Sequence, residues 1–359
     1  MKILFATDLY PVSENEKTTP RTLYDFVHGF RAAGIEVDVI KPNFIFNSFL
    51  RKKPFYKTGF YNDVYNVNYH TPFLGDVTSK IILHSMPDVI VSHMPSGTLF
   101  AYKLAEKYVL PLICGIHVSD LEILTNPLYK IYFKPALLKA FRYAKLLACR
   151  SEVIKKKLLE LYPEFENKIF IAYSGVDENC IVERTGEDLH NKIKVLTCAN
   201  FKKRKNIDKV IKACKCLESF DLTVIGDGKL RRQLQRIDKN VTFTGHLPRK
   251  EVLEYMRKSD IFILPSVGET LGMVYLEAMA SGCITVATKN EGVDGIIKNN
   301  LNGFLTSSDE NEIKDILLNI KNMDKKSLKA LRCNSYSTIK QYTQKAMCSY
   351  YLQQIFKIL

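Results

Sequence analysis

Short apolar runs rich in β-branched residues alternate with amphipathic, helix-length segments from one end of this chain to the other. That alternation constrains the fold more than any other feature. Lys2–Thr7 reads as a strand, Arg21–Gly34 as a helix ended by its glycine, and Ile35–Lys41 (IEVDVIK) as a second strand. Pro87–His93 (PDVIVSH) and Pro111–His117 (PLICGIH) are apolar enough for strands buried on both faces, with a helix from about Ser96 to Lys107 between them. Leu146–Arg150, a helix over Glu152–Leu161 and Ile169–Tyr173 complete this half. The pattern then restarts. Strands are expected at Ile193–Ala199, Asp221–Gly226, Val241–Thr244, Ile261–Pro265 and Ile284–Thr288. Helices are expected at Asn206–Leu217, from Lys229, at Arg249–Lys258 and at Leu271–Ser281. Strands separated by helices pair in parallel through right-handed crossovers. The expectation is an α/β chain with two Rossmann-like, doubly wound parallel-sheet domains facing across a cleft.

At 359 residues the chain has room for two such domains. The polar, aperiodic stretch 178–191 reads as a linker, leaving residues 1–177 as the first domain and 192–340 as the second. Lys325–Leu359 reads as two helices, and the final segment 341–359 is expected to pack back on the first domain. No apolar run approaches the ~18 residues of a membrane-spanning helix. The opening MKILFATDLYPV is too short and too strand-like for a signal peptide, so a cytoplasmic location is expected. Nine cysteines show neither a C-x-x-C pair nor zinc spacing and read as free thiols, Cys149 and Cys198 at strand ends among them. No metal site is expected.

The formal charge of +14 is unevenly spread: residues 191–359 hold 29 basic and 17 acidic side chains, and residues 44–157 hold 16 and 7. Such an excess suits nucleic acid, anionic lipid or phosphorylated ligands. No nucleic-acid-binding module has its signature here, so nucleic acid is not an expected partner. Phe44–Tyr61 (FIFNSFLRKKPFYKTGFY) interleaves aromatics with Arg51, Lys52, Lys53 and Lys57, a pattern suited to an anionic membrane surface. The expected location is thus cytoplasmic and peripheral on the inner face of the cell membrane. Tyr129–Leu147 repeats the theme at helical spacing. It fits either an interfacial helix or a core helix with a cationic outer face.

Ligands of open parallel sheets bind beyond the carboxyl ends of the strands, where the unusual residues of this sequence fall. Pro265–Gly282 (PSVGETLGMVYLEAMASG) leaves a buried strand, turns through Gly268 and Gly272, and enters a helix that Gly282 stops. The first amides of a helix lack partners and lie at its positive dipole end, which favours phosphate; glycine lets a diphosphate approach closely. Glu277, within the helix, suits the two hydroxyls of a ribose, and Glu269 at the turn suits the sugar end of the same ligand. Two glutamates at this spacing are ordinary by themselves, one complementing a helix dipole and one solvated; the strand–turn–helix setting gives them weight. Upstream, Ala199–Asp208 (ANFKKRKNID) places four successive cations at another strand end, able to neutralise a diphosphate or to form a solvated turn. Ile225–Gly228 (IGDG) marks a tight strand-to-helix turn.

Together these segments resemble the family 4 glycosyltransferases, retaining enzymes of the GT-B fold. The resemblance spans nearly the whole chain. Its most specific element is the E-x7-E pattern, Glu269 to Glu277, within IFILPSVGET, LEAMASGCITVAT and EGVDGIIKNNLNGFL. Gly226-Asp227-Gly228, Val241–Gly245 and Tyr173–Asp177 follow the family pattern as well. The resemblance implies a hexose or N-acetylhexosamine transferred from a nucleoside-diphosphate sugar, without a metal or other cofactor, to a glycan or lipid-linked acceptor in surface polysaccharide synthesis. It assigns His117, Lys205 and Glu269 to catalysis. Asn200, Arg204, Lys205, Gly272, Met273, Val274 and Glu277 would bind the donor, and Thr18, Thr19, Arg21 and Asp120 the acceptor side of the cleft. Three positions depart from the pattern: Asn200 stands for an arginine, the loop Ser13–Pro20 lacks a glycine pair, and Ser174 stands for an asparagine. A nucleotide-sugar epimerase and a non-catalytic sugar-nucleotide binder remain alternatives.

Overall fold

In the computed structural model, which describes residues 1–12, 20–44, 56–69, 85–184 and 188–359, the apolar runs become the strands of two sheets. The described chain divides into two units, Met1–Ser174 with Gln344–Leu359, and Gly175–Thr343.

The first unit is built on β1 (Lys2–Thr7), β2 (Glu36–Phe44), β3 (Gly59–Tyr61), β4 (Val64–Tyr69), β5 (Val89–His93), β6 (Leu112–Ile116), β7 (Leu146–Cys149) and β8 (Ile169–Ile171). Their order is β3-β4-β2-β1-β5-β6-β7-β8. All pairs are parallel except the hairpin β3–β4. Successive side chains of β1 point to opposite faces. Ile3 and Phe5 join Phe26 and Phe30 of the helix Thr22–Ala32. Leu4 and Ala6 join Phe100 and Leu104 of the helix Pro95–Tyr108. Both faces are covered by helices, which is why the strand is apolar throughout rather than alternating. Each fully buried aromatic contributes about 1.5–3 kcal/mol relative to exposure.

The hairpin holds the end of one segment named above. Gly59–Tyr61, the end of the segment expected to lie on a membrane, is an edge strand turned through Asn62, whose φ is 51°. Residues 45–55 of that segment lie outside the described residues. Tyr129–Leu147 resolves toward the core: the helix Phe133–Tyr143 buries Leu137, Leu138, Ala140 and Phe141. Among the described residues no helix is long and apolar enough to cross a membrane.

The second unit contains β9 (Ile193–Cys198), β10 (Phe220–Ile225), β11 (Thr242–Gly245), β12 (Ile261–Ile263), β13 (Ile284–Thr288) and β14 (Phe304–Thr306). The order β11-β10-β9-β12-β13-β14 is parallel throughout. Val195, Leu222, Ile261 and Val286 pack against Val210 and Ile211 of the helix Ile207–Lys215 and Leu317 of the helix Glu310–Lys321.

The boundaries differ from those expected. The described part of the stretch 178–191 belongs to the second unit rather than forming a linker. The Val182 amide donates to the Ala280 carbonyl at 2.7 Å. Arg184, 7% exposed, donates to the Ser259 carbonyl at 2.8 Å and lies against Gly282, where a Cβ would meet it at 2.7 Å. A buried arginine satisfied by backbone looks like a surface residue in sequence. At the other end, the helix Gln344–Phe356 places Cys348, Tyr351, Leu352 and Ile355 in the core of the first unit, after a boundary at Thr343.

Candidate functional site

In a doubly wound sheet, the loops that follow the two strands at the reversal of strand order diverge and leave room at the carboxyl edge. In the second unit these strands are β9 and β12, and the residues after them are Ala199–Asn206 and Leu264–Gly272. Gly226 lets the end of β10 press on the first loop: a Cβ there would lie 2.0 Å from the Ala199 carbonyl oxygen. Asn206 takes a left-handed conformation (φ 49°) and its side-chain amide donates to the Pro265 carbonyl at 2.7 Å. The Val267 amide donates back to the Arg204 carbonyl at 2.9 Å. The two loops are therefore tied together by hydrogen bonds.

Glu269 lies where they meet. Its Oε1 accepts from the Lys205 ammonium, from Arg204 NH1 at 2.9 Å and from Ser266 Oγ at 2.6 Å. Its own amide donates to Glu291 Oε2 at 2.9 Å. Burial pushes the Glu269 carboxyl up, but the Lys205 charge, with hydrogen bonds from Lys205 and Ser266, outweighs it and holds the acid below its ordinary value. Burial likewise draws the Lys205 ammonium down, and Glu269 only partly offsets this. Arg204 is more exposed, and Lys202, Lys203 and Asn200 face solvent. Arg204, Lys205 and Glu269 are thus brought into one cluster with a surplus of positive charge.

The helix Met273–Ala280 begins beside it. Gly272 is left-handed (φ 85°), and a Cβ there would meet the Tyr275 ring at 2.5 Å. Tyr275 in turn donates its hydroxyl to the Leu264 carbonyl at 2.7 Å, locking the helix start to the end of β12. Among the described residues no side chain caps this helix, and Gly272, Met273 and Val274 are half-buried. An uncapped, reachable first turn is suited to an anion. One turn further, Glu277 Oε1 accepts from Arg249 Nε at 2.8 Å. The Glu277 side chain is 16% exposed and that of Arg249 52%.

The first unit has its own reversal, between β1 and β5. There Ser96 donates to Asp8 Oδ2 at 2.9 Å, and Met94 is held at φ 68°. His117, 8% exposed, follows β6 and starts the helix Val118–Thr125. Its Nε2 lies 3.0 Å from His93 Nδ1, and His93 Nε2 lies 3.4 Å from the Tyr351 hydroxyl. Gly115 makes room for the His93 ring, since a Cβ would come within 2.0 Å of it. Burial holds both imidazoles well below their ordinary values, so they are neutral at physiological pH. Asp120, expected on the cleft, is instead wholly buried: its Oδ2 accepts the His117 amide at 2.8 Å, and burial raises its carboxyl to about 8. A carboxyl at the third position of a helix is drawn to the free amide at its start, which sequence alone does not separate from a ligand role. Arg21 is exposed with its guanidinium 4.5 Å over the Tyr24 ring. Thr18 and Thr19 lie outside the described residues. Among the described residues no group of three or more His, Cys, Asp or Glu side chains is arranged to hold a metal ion.

Sequence reasoning missed His93, Arg249, Ser266, Glu291 and Tyr351. His93 had a signal: PDVIVSH and PLICGIH are strands of the same kind ending alike, and they pair side by side. Ser266 stands three residues before Glu269, in the same turn. Arg249 and Glu291 in the second unit, and Tyr351 in the first, reach their partners only through the fold.

The chain matches the family described as Glycosyltransferase Family 4 over residues 19–179 and that described as Glycosyl transferases group 1 over residues 183–338. An uncharacterized glycosyltransferase of Methanocaldococcus jannaschii is 30% identical over 247 residues, 66% of this chain and 66% of that protein. The amylovoran biosynthesis glycosyltransferase AmsK of Erwinia amylovora is 25% identical over 284 residues, 70% of this chain and 68% of that protein. The matched stretch thus spans about two thirds of these relatives. Among solved structures, Anabaena HepE in complex with UDP has the same fold, with a TM-score of 0.77 at 18% identity over 100% of both chains.

Proposed function

The chain belongs to the family 4 glycosyltransferases, and from that premise we propose that it moves a hexose or N-acetylhexosamine from a nucleoside-diphosphate sugar to a glycan or lipid-linked acceptor in surface polysaccharide synthesis. The relative AmsK, by its name, works in amylovoran biosynthesis, and HepE was solved with UDP, so a uridine nucleotide is the first donor to test. The observation that carries the proposal is the Arg204–Lys205–Glu269 cluster at the carboxyl edge of β9 and β12, beside the uncapped helix start at Gly272.

The reaction breaks the bond between the anomeric carbon and the diphosphate oxygen and joins that carbon to an acceptor hydroxyl oxygen, whose proton passes to the departing diphosphate. Negative charge grows on the departing diphosphate. Lys205, Arg204 and the amides of the first helical turn stand where that charge develops, so they stabilise the transition state more than the ground state. This charge supply lets the transfer proceed without a metal. Glu269 holds Lys205 in place and leaves the cluster net positive. Glu277 takes the ribose hydroxyls. Transfer with retention, attack occurring on the face from which the diphosphate departs, is part of the same proposal.

A thermal-shift panel of nucleotide sugars tests it. One donor is expected to raise the melting temperature, Glu277→Ala to abolish that shift, and donor with acceptor to release nucleoside diphosphate. A shift that survives Glu277→Ala unchanged would overturn the assignment.

A further inference from the structure

Two large apolar side chains stand further into water than any others among the described residues: Ile131 is 94% exposed and Leu128 87%. They are three residues apart on the turn that joins the helix Val118–Thr125 to the helix Phe133–Tyr143. The turn is well built. Asn126 Oδ1 accepts the Leu128 amide at 3.0 Å and starts a single 3-10 turn over Pro127–Tyr129. Behind it, the Phe133 ring meets those of Tyr129 and Tyr132 edge-on at centroid distances of 5.7 and 5.3 Å. A rigid knuckle therefore presents leucine and isoleucine outward, with tyrosines at its flanks. Single exposed apolar residues are common; here two stand together on one hydrogen-bonded turn framed by aromatics.

The charge around it selects the partner. Residues 123–151 contain no aspartate or glutamate, whereas Lys130, Lys134, Lys139 and Lys145 lie in the same stretch. Lys130 and Lys139 are exposed, and Lys134 is half-buried beside the Tyr162 ring. The apolar stripe of the helix Phe133–Tyr143 is already used by the core, so the helix itself is not available to lie on a bilayer. What remains free is the tip and its basic collar. Apolar tip, tyrosine flanks and cationic collar match the depth profile of a bilayer surface: acyl chains, interface, anionic headgroups.

We propose that the Leu128–Ile131 knuckle docks this protein on an anionic lipid surface, inserting both side chains while Lys130 and Lys134 meet headgroup phosphates. This contact belongs to the first unit alone and does not depend on the donor assignment.

The chain has no tryptophan, so Ile131→Trp supplies a unique reporter. Its emission is expected to shift to the blue on adding vesicles of phosphatidylcholine with phosphatidylglycerol, and to remain unshifted with phosphatidylcholine alone. In sedimentation with the anionic vesicles, the double variant Leu128→Glu/Ile131→Glu is expected to bind at least about ten-fold more weakly than wild type. Lys130→Ala/Lys134→Ala is expected to weaken binding and flatten its salt dependence. Both residues of the glutamate variant are exposed, so its melting temperature and its nucleotide binding should match wild type, which separates this test from that of the donor site. Undiminished vesicle binding by the glutamate variant would overturn the proposal. So would wild-type self-association in analytical ultracentrifugation that the same variant abolishes, which would make the occupant a second copy of the chain.

Discussion

Arg249 pairs with the carboxylate proposed to take the donor ribose, and deleting it makes a quantitative test of that proposal. Arg249 Nε lies 2.8 Å from Glu277 Oε1, and half of the arginine side chain is in water. Solvent screening limits so exposed a pair to about 0.2–1 kcal/mol. If ribose hydroxyls take the Glu277 oxygens, that pair must open, and the apparent nucleotide affinity carries its cost. Arg249→Ala removes the cost, so UDP is expected to bind roughly 1.4- to 5-fold more tightly, while the ligand-free protein loses the same small increment of stability. Glu277→Gln acts the other way. It removes the charged acceptor, and each hydrogen bond to a charged group is worth about 1.5–3 kcal/mol, so affinity falls by roughly 10-fold or more. Isothermal titration calorimetry with UDP on wild type, Arg249→Ala and Glu277→Gln separates these effects. Should Arg249→Ala weaken binding as much as Glu277→Gln, the arginine is itself a nucleotide ligand and the displacement reasoning fails.

On the proposed mechanism, where the Lys205 charge matters most as the diphosphate departs, Lys205→Met is expected to lower kcat by about 10²–10³-fold with a smaller effect on donor binding; steady-state rates against donor concentration decide this. Stability should change modestly, since Arg204 and Ser266 still hold Glu269. Gly272→Ala forces a left-handed residue into the Tyr275 ring and is expected to cost at least about 1 kcal/mol in chemical denaturation and to weaken nucleotide binding together. Asp120 provides a pH test. Its carboxyl is raised from 3.8 to about 8 in the folded protein, so its contribution is intact below pH 3.8 and is lost progressively as pH climbs toward 8. Asp120→Asn, which cannot ionise, should therefore gain on wild type in urea-melt stability across that window, and a constant difference would refute the buried neutral acid.

How much of this was legible in the sequence follows from what each feature depends on. Periodicity is local, so β1 and the two C-terminal helices were readable with small boundary errors. The E-x7-E block is local too, and its glycines report backbone demands at Gly272 and Gly268, both of which take positive φ. The hairpin β3–β4 was not legible because its aromatics follow directly on the cations Arg51–Lys57; pairing with β2, not composition, makes it sheet. The linker was misjudged for a related reason, since Arg184 and His190 are polar by type but fixed by Ser259 and by Asp260. Within the site, the nearest neighbours of Glu269 in the chain were visible, while Glu291 and Arg249 arrive from other strand ends and required the sheet order. Asp120 shows the opposite failure: a carboxylate after a strand invites a ligand role, and a backbone amide takes it instead.

The helix Gln344–Phe356 finishes the first unit although 169 residues of the second unit, Gly175–Thr343, are written between them in the chain. During synthesis, Phe26, Phe30 and Phe170 must wait for Tyr351 and Ile355, which follow the whole second unit in the chain, before their cluster closes. The unit that begins first is completed last, and until then its apolar face is open to chaperones, proteases or neighbouring nascent chains. Deleting the helix Gln344–Phe356 would accordingly open the core of the first unit, and leave that of the second unit to fold by itself.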